Sequence, residues 1–273
     1  MSLMEKAKSL LRTHRIVPNR LMGQNFMVEP SIFETLGKNA SLNQDDVVMD
    51  VGAGLGFLTR FLASKCQTVL AVEADLKLFE VLREQVRGIP NIEVFKGNVL
   101  KVQLPTFNKT VSIPPYQISS HLLEWLFRKQ LDCAVLILQK EFAKRLVSPV
   151  GSEDYGWLTV LAYYHMEVEF FDEVPRWMFY PRPNVDSVVV RLEPKKTPPF
   201  KLKDEDIFPQ VVQSLFRQRN RKVRNAILPF LKGMRHAAAE KALKLAEIIP
   251  FHDKRPRELK PEDFGAVANA LSD

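Results

Sequence analysis

The stretch Met49-Asp50-Val51-Gly52-Ala53-Gly54-Leu55-Gly56-Phe57-Leu58-Thr59 constrains the fold of this chain more than any other. An apolar run, Val47-Val48-Met49, leads into it, and an apolar-periodic segment from Leu58 to Ala63 leads out. That order predicts a strand, a tight glycine turn and the start of a helix. Glycines accept positive φ and let a ligand touch bare backbone. The first amides of the following helix point free N–H groups into the turn. The stretch therefore reads as a cofactor cradle, although a glycine turn alone also occurs in other α/β proteins.

What accompanies the turn narrows the ligand. The spacing is G-x-G-x-G rather than the dinucleotide G-x-G-x-x-G, and Asp50 stands two residues before the first glycine. A second strand, Thr68 to Val72, ends in Glu73, where a carboxylate can accept both hydroxyls of a ribose. A third, Asn91 to Lys96, closes on Gly97-Asn98. Ribose and adenine contacts with an acid ahead of the loop suggest S-adenosylmethionine, whose cationic sulfonium and amino groups suit acidic neighbours better than a pyrophosphate would.

Asn108 to Ile113 predicts a fourth strand, halted by Pro114-Pro115-Tyr116. Ser119 is expected to cap a helix through Phe127, and Asp132 to Gln139 is apolar enough for a strand covered on both faces. Helices over Lys140–Leu146 and Tyr155–Tyr164 are followed by strands over Met166–Phe171 and Asp186–Leu192, expected as an antiparallel hairpin at the sheet edge. This rhythm implies a doubly wound, Rossmann-like α/β sheet. After the Pro- and Lys-rich Glu193–Pro199 the period becomes helical: Asp204–Arg219, Lys222–Leu231, His236–Glu247 and Pro261–Leu271. The expected division is a cofactor-binding domain with a basic arm over 1–195 and a small all-helical domain over 196–273.

With 273 residues the chain is long enough for that division. Its 39 Lys+Arg against 32 Asp+Glu give a net charge of +7, which favours an anionic partner. Arg217, Arg219, Arg221, Lys222 and Arg224 crowd one short segment. With Lys201, Lys203 and the N-terminal Lys6, Lys8, Arg12, Arg15 and Arg20 they could track phosphates. Cys66 and Cys133 read as small core residues in a reducing, cytoplasmic setting. The five histidines show no ligand spacing, so no metal is expected, and no apolar run is long enough for a membrane span. No large apolar stripe is left over, and a monomer is expected.

Nine segments in order carry a resemblance: Gly23-Gln24-Asn25-Phe26, Asp50 to Thr59, Glu73, Gly97 to Leu100, Pro115 to Ser119, Lys140 to Leu146, Tyr155 to Val160, Phe179 to Ser187, and Phe216 to Ala226. On these the chain resembles the KsgA-type small-subunit ribosomal RNA adenine dimethyltransferases, and among them the archaeal members. The resemblance implies transfer of methyl groups from S-adenosylmethionine to N6 of adenosines, two adjacent and each dimethylated, in small-subunit ribosomal RNA or the pre-ribosomal small subunit. It implies cofactor contacts at Gln24, Asn25, Met27, Asp50, Gly52, Gly54, Glu73, Ala74, Asn98, Val99 and Ile113. It places the acceptor base against Tyr116 and Phe179, beside Ile113 and Pro114.

Two positions depart from the family pattern. Asn98 stands where the family has aspartate. Ile113 stands where the pattern Asn-x-Pro-Tyr puts its catalytic asparagine. The N6 lone pair is delocalised into the ring, and acceptors on its two protons help localise it for attack. Losing one such partner is worth about 2.7–4 kcal/mol of barrier. Ser112 is a candidate replacement if the turn shifts by one residue. Two rival readings stay open: an RNA-binding assembly factor with little or no transfer activity, and an antibiotic-resistance-type methyltransferase acting on large-subunit RNA.

Overall fold

The computed structural model describes residues 1–19, 22–233 and 239–272. Arg20 of the basic arm, Leu21 and the expected helix start at His236 lie outside them. The chain divides into two compact units, Met1–Ala143 with Val168–Pro194, and Lys144–Glu167 with Lys195–Asp273.

The first unit opens with α1 (Leu3–Thr13), capped reciprocally by Ser2 and Glu5. There follow β1 (Phe26–Met27), α2 (Ser31–Asn39), β2 (Val47–Val51), α3 (Phe57–Ala63), β3 (Thr68–Glu73), α4 (Leu76–Gln85) and β4 (Ile92–Lys96). Then come β5 (Lys109–Ser112), α5 (Ser119–Leu126), β6 (Cys133–Gln139) and α6 (Lys140–Lys144). Beyond α7 (Trp157–His165), which groups with the second unit, the chain returns as β7 (Met166–Val174), β8 (Phe179–Tyr180) and β9 (Ser187–Pro194).

Seven strands form one sheet in the order β4-β3-β2-β5-β6-β9-β7. The first five run parallel to their neighbours. Their crossovers α3, α4 and α5 bury Leu62, Leu82 and Leu123, so helices cover the sheet; β3 and β6 carry apolar runs, whereas β5 buries Lys109, Thr110 and Ser112. Ala134 to Leu138 of β6 is wholly buried. From β2 the chain winds outward to β3 and β4, then jumps back to β5 and β6. The reversal lies between β2 and β5, the place where open α/β sheets bind ligands.

Several local expectations change. β9 inserts between β6 and β7, antiparallel to β6, so the late strands extend the sheet with β7 outermost. A second sheet, absent from the sequence reading, pairs Phe26 with Tyr180 and Met27 with Phe179. Ser119 does not cap α5. A 3₁₀ turn, Tyr116–Ile118, runs straight into that helix, and the Ser119 hydroxyl is buried without a partner.

The second unit contains α7, α8 (Ile207–Phe216), α9 (Val223–Ala226), α10 (Leu228–Gly233), α11 (Ala239–Ile248) and α12 (Pro261–Leu271). The expected helix over 222–231 is two short ones, broken before Pro229. Lys144–Glu167 joins this unit, not the sheet as the division at 195 had it, because α7 is apolar nearly all round. Tyr164 packs on Phe200 and Phe208, and the Tyr155 hydroxyl donates to Leu259 O at 2.7 Å.

Candidate active site

The glycine loop takes the conformation its residues allow. Gly52 and Gly54 have φ of 70° and 56°, in the left-handed region. Gly52 and Ala53 N–H both donate to Val72 O, at 2.8 and 3.1 Å, folding the loop over the end of β3. A Cβ at Gly52 would lie 2.5 Å from Pro115 Cδ, and one at Gly54 would lie 3.2 Å from the Phe26 ring. Glycine is thus required both for φ and for the close approach of the Pro114-Pro115 turn.

Between these elements lies a cavity of ≈ 310 Å³. Gln24, Asn25, Gly52, Gly54, Glu73, Ala74, Asn98, Val99, Ile113, Pro114, Tyr116 and Phe179 all line it. Asp50 and Met27 do not. They border an adjoining pocket of ≈ 50 Å³ that shares Asn25, Phe26, Gly52, Gly54 and Ile113 with the larger one. Sequence reasoning missed Phe26, Leu78 and Gln117 in the larger wall. Leu78 had a signal, being the apolar position one turn into the helix that follows Glu73-Ala74-Asp75.

Glu73 is 7% exposed, and both its oxygens are held by backbone: Gly54 N–H donates to Oε2 and Asp75 N–H to Oε1, each at 2.9 Å. Burial raises its pKa against the pull of those amides. Asp75, also missed, caps α4 through Lys77 and Leu78 N–H and accepts from Gln24 Nε2 at 3.2 Å. Gln24 Oε1 in turn accepts from Asn19 N–H at 2.8 Å. The predicted Gln24 is therefore a brace between the entry loop and the N-terminus of α4 as well as a wall residue. Asn98 Oδ1 accepts from Leu100 N–H at 2.9 Å, which orients its amide at the rim.

Asp50 is 2% exposed and accepts from Thr59 Oγ1 at 2.7 Å. Burial, with the nearby Glu73 charge, pushes its pKa up to about 7. Near neutrality it can hold or release a proton, and a cationic group in the small pocket would favour the ionised form.

The Tyr116 ring borders the cavity while its hydroxyl lies 2.7 Å from the buried Ser187 Oγ; burial raises the phenol to about 12. Phe179, only 1% exposed, is carried to the cavity by the β1–β8 pairing. Ser112 is not a replacement for the missing amide. It is fully buried, donates to Val51 O at 2.7 Å and accepts from Val51 N–H at 2.9 Å. Its hydroxyl thus faces β2, while Ile113, next along the strand, borders both pockets.

The basic cluster is divided. Lys222 and Arg224 converge on Asp253 at 2.9 and 2.7 Å, and Arg224 also meets Glu247 at 3.6 Å. Arg219 is tied to the Glu153 and Ser152 carbonyls. Arg217 and Arg221 are exposed and carry no ion pair among the described residues. In the N-terminal arm, Lys6 sits over the Phe57 ring and Lys8 over Tyr180.

A family model described as ribosomal RNA adenine dimethylase matches residues 18–259. The chain is 38% identical over 258 residues to a Methanosarcina acetivorans protein named "Probable ribosomal RNA small subunit methyltransferase A", covering 92% of each. Among solved structures it is similar to a dimethyladenosine transferase from Plasmodium falciparum, at 27% identity and a TM-score of 0.70, over 88% of this chain and 94% of that one. It is also similar to the 23S rRNA methyltransferase ErmE, at 28% identity and a TM-score of 0.61, over 91% of this chain and all of the other.

Proposed function

This chain belongs to the ribosomal RNA adenine dimethylase family, and from that premise we propose that it transfers methyl groups from S-adenosylmethionine to N6 of adenosines, two adjacent and each dimethylated, in small-subunit ribosomal RNA during ribosome assembly. The observation that carries the reading is the pair of adjoining pockets at the β2/β5 reversal, with Glu73 and Tyr116 in the wall of the larger, Asp50 in that of the smaller and Ile113 in both. A nucleoside with an amino-acid tail fits that layout. Glu73 would accept the ribose hydroxyls, Asn98 and Val99 would meet the adenine, and Asp50 would face the tail's ammonium. When bound, the cofactor supplies an electrophilic methyl on a sulfonium.

The chain's own residues do the rest. Tyr116 and Phe179 offer aromatic surface for a target adenine taken out of its stack. The Pro114 carbonyl accepts one N6–H, which shifts lone-pair density onto the nitrogen. The proton is lost to water once nitrogen carries the new methyl, so no side-chain base is required. Exposed Arg217 and Arg221 are the first candidates for phosphate contacts, followed by Arg219, Lys222 and Arg224. No helix among the described residues is long and apolar enough to cross a membrane. With an RNA substrate in the ribosome, we assign the protein to the cytoplasm, as a monomer.

The test is incubation with labelled cofactor and immature small subunits or large-subunit RNA, then mass spectrometry of the adenosines. Dimethyladenosine in the small-subunit RNA supports the reading, and label in large-subunit RNA alone overturns the substrate. One observation favours a second reading, an assembly factor with weak transfer: Ile113 is apolar and Ser112 is turned away. Cofactor binding by calorimetry without any methyl transfer would establish it.

A further inference from the structure

The wall beside Tyr116 bears on which form of adenine the site can accept. An unmodified adenine presents two N6–H donors, whereas N6-methyladenine presents one donor and one methyl. In this wall the Ile113 side chain is half-buried, borders both pockets and packs on the apolar cluster that includes Phe26 and Phe179. Pro114 follows it and contributes a carbonyl but no N–H. The adjacent hydroxyl, Ser112, donates to Val51 O, accepts from Val51 N–H and lines neither pocket. The Tyr116 hydroxyl is engaged with Ser187. At positions 113 and 114 the wall therefore offers one acceptor, the Pro114 carbonyl, and one apolar surface.

We infer that Ile113 makes this a site for the second methylation: N6-methyladenosine, its one N–H on the Pro114 carbonyl and its methyl against Ile113, is the preferred acceptor. This rests on the methyltransferase reading given above. Two effects act in the same direction. An N–H brought into the wall without a partner forfeits its hydration, and a methyl laid on apolar surface gains by leaving water. In the step itself the N6 lone pair forms the new N–C bond. The C–S bond breaks with its electron pair remaining on sulfur, and the last N6 proton passes to water, leaving dimethyladenine.

Two measurements on the full chain test this separately from the reading it rests on. The first needs no cofactor: the Ile113 δ1-methyl resonance is followed by NMR during titration with adenosine 5′-monophosphate or N6-methyladenosine 5′-monophosphate. We expect the methylated nucleotide to bind roughly tenfold more tightly. We also expect a nuclear Overhauser contact between its N6-methyl and Ile113. The variant Ile113→Asn, which restores an acceptor, should abolish or reverse the preference. Equal or reversed affinities in the native chain, or a preference unchanged in Ile113→Asn, overturn the inference. The second measurement is single-turnover transfer to small-subunit RNA transcribed with adenosine or with N6-methyladenosine. Faster transfer to the methylated RNA supports the inference, and measurable transfer at an equal or slower rate overturns it. Transfer to neither, with the nucleotide preference intact, supports the specificity of the wall and overturns the transferase reading alone.

Discussion

Replacing Gly52 by alanine should couple the glycine loop to the acceptor turn. Two costs add at this residue. An L-residue in the left-handed region costs about 1–2 kcal/mol, and Gly52 has φ of 70°. The new Cβ would also stand 2.5 Å from Pro115 Cδ, too close for real atoms, so the turn must move; overpacking of this kind costs about 1–3 kcal/mol. The turn has little freedom to absorb the shift, since Pro114 and Pro115 both have fixed φ. Displacement passes to Tyr116 and strains its 2.7 Å contact with Ser187. The expected loss is about 2–5 kcal/mol in denaturant unfolding, together with at least a tenfold fall in cofactor affinity by calorimetry. Gly88→Ala is the control. Gly88 has φ of 84° but open space where a Cβ would be added, so only the conformational cost applies and cofactor affinity should hold. If Gly52→Ala lost no more stability than Gly88→Ala and bound cofactor normally, the proposed contact between loop and turn would be wrong.

Three further outcomes are expected. Because Asp50 rises from 3.8 to about 7 on folding, the native state holds its proton more tightly than the unfolded chain. Its contribution is complete below about pH 4 and is lost as pH climbs through 7, a change of about 4 kcal/mol at most. Asp50→Asn should flatten that part of the stability profile, and a variant-minus-native difference that is the same at pH 5 and pH 7.5 would refute the assignment. Glu73→Ala leaves the Gly54 and Asp75 amides without their carboxylate. It should cost about 1–3 kcal/mol for each amide that water does not reach, and abolish detectable cofactor binding; binding at native affinity would remove Glu73 from the site. In RNA titrations against salt, the double variant Arg217→Ala/Arg221→Ala should reduce the logarithmic slope by about 2. Lys222→Ala, whose charge already faces Asp253, should reduce it by well under about 1. A reduction of about 1, the full share of one charge, would show that the ion pair opens on binding.

What the sequence disclosed about this site follows from where its residues sit. Asp50, Glu73, Asn98 and Ile113 all lie at or just beyond the carboxyl ends of parallel strands, and the most buried of these announce themselves by apolar runs such as Val69 to Val72. Side chains brought in by pairing across long separations left no such trace. Phe179 reaches the cavity through a two-residue strand bonded to Met27, more than a hundred positions earlier, too short to show a period of its own. The partners of Lys222 and Arg224 at Asp253 and Glu247 were equally hidden, because charge counting along a segment does not reveal which charges fold back onto it. Ser112, like Leu78, was legible from the local pattern. Successive side chains of a strand point to opposite faces of the sheet, so an extended chain that aims position 113 at the cavity aims position 112 away from it. The structure keeps that alternation, with Ser112 bonded to both polar groups of Val51. Ile113 therefore has no polar stand-in at position 112, and at position 113 itself the cavity wall is apolar.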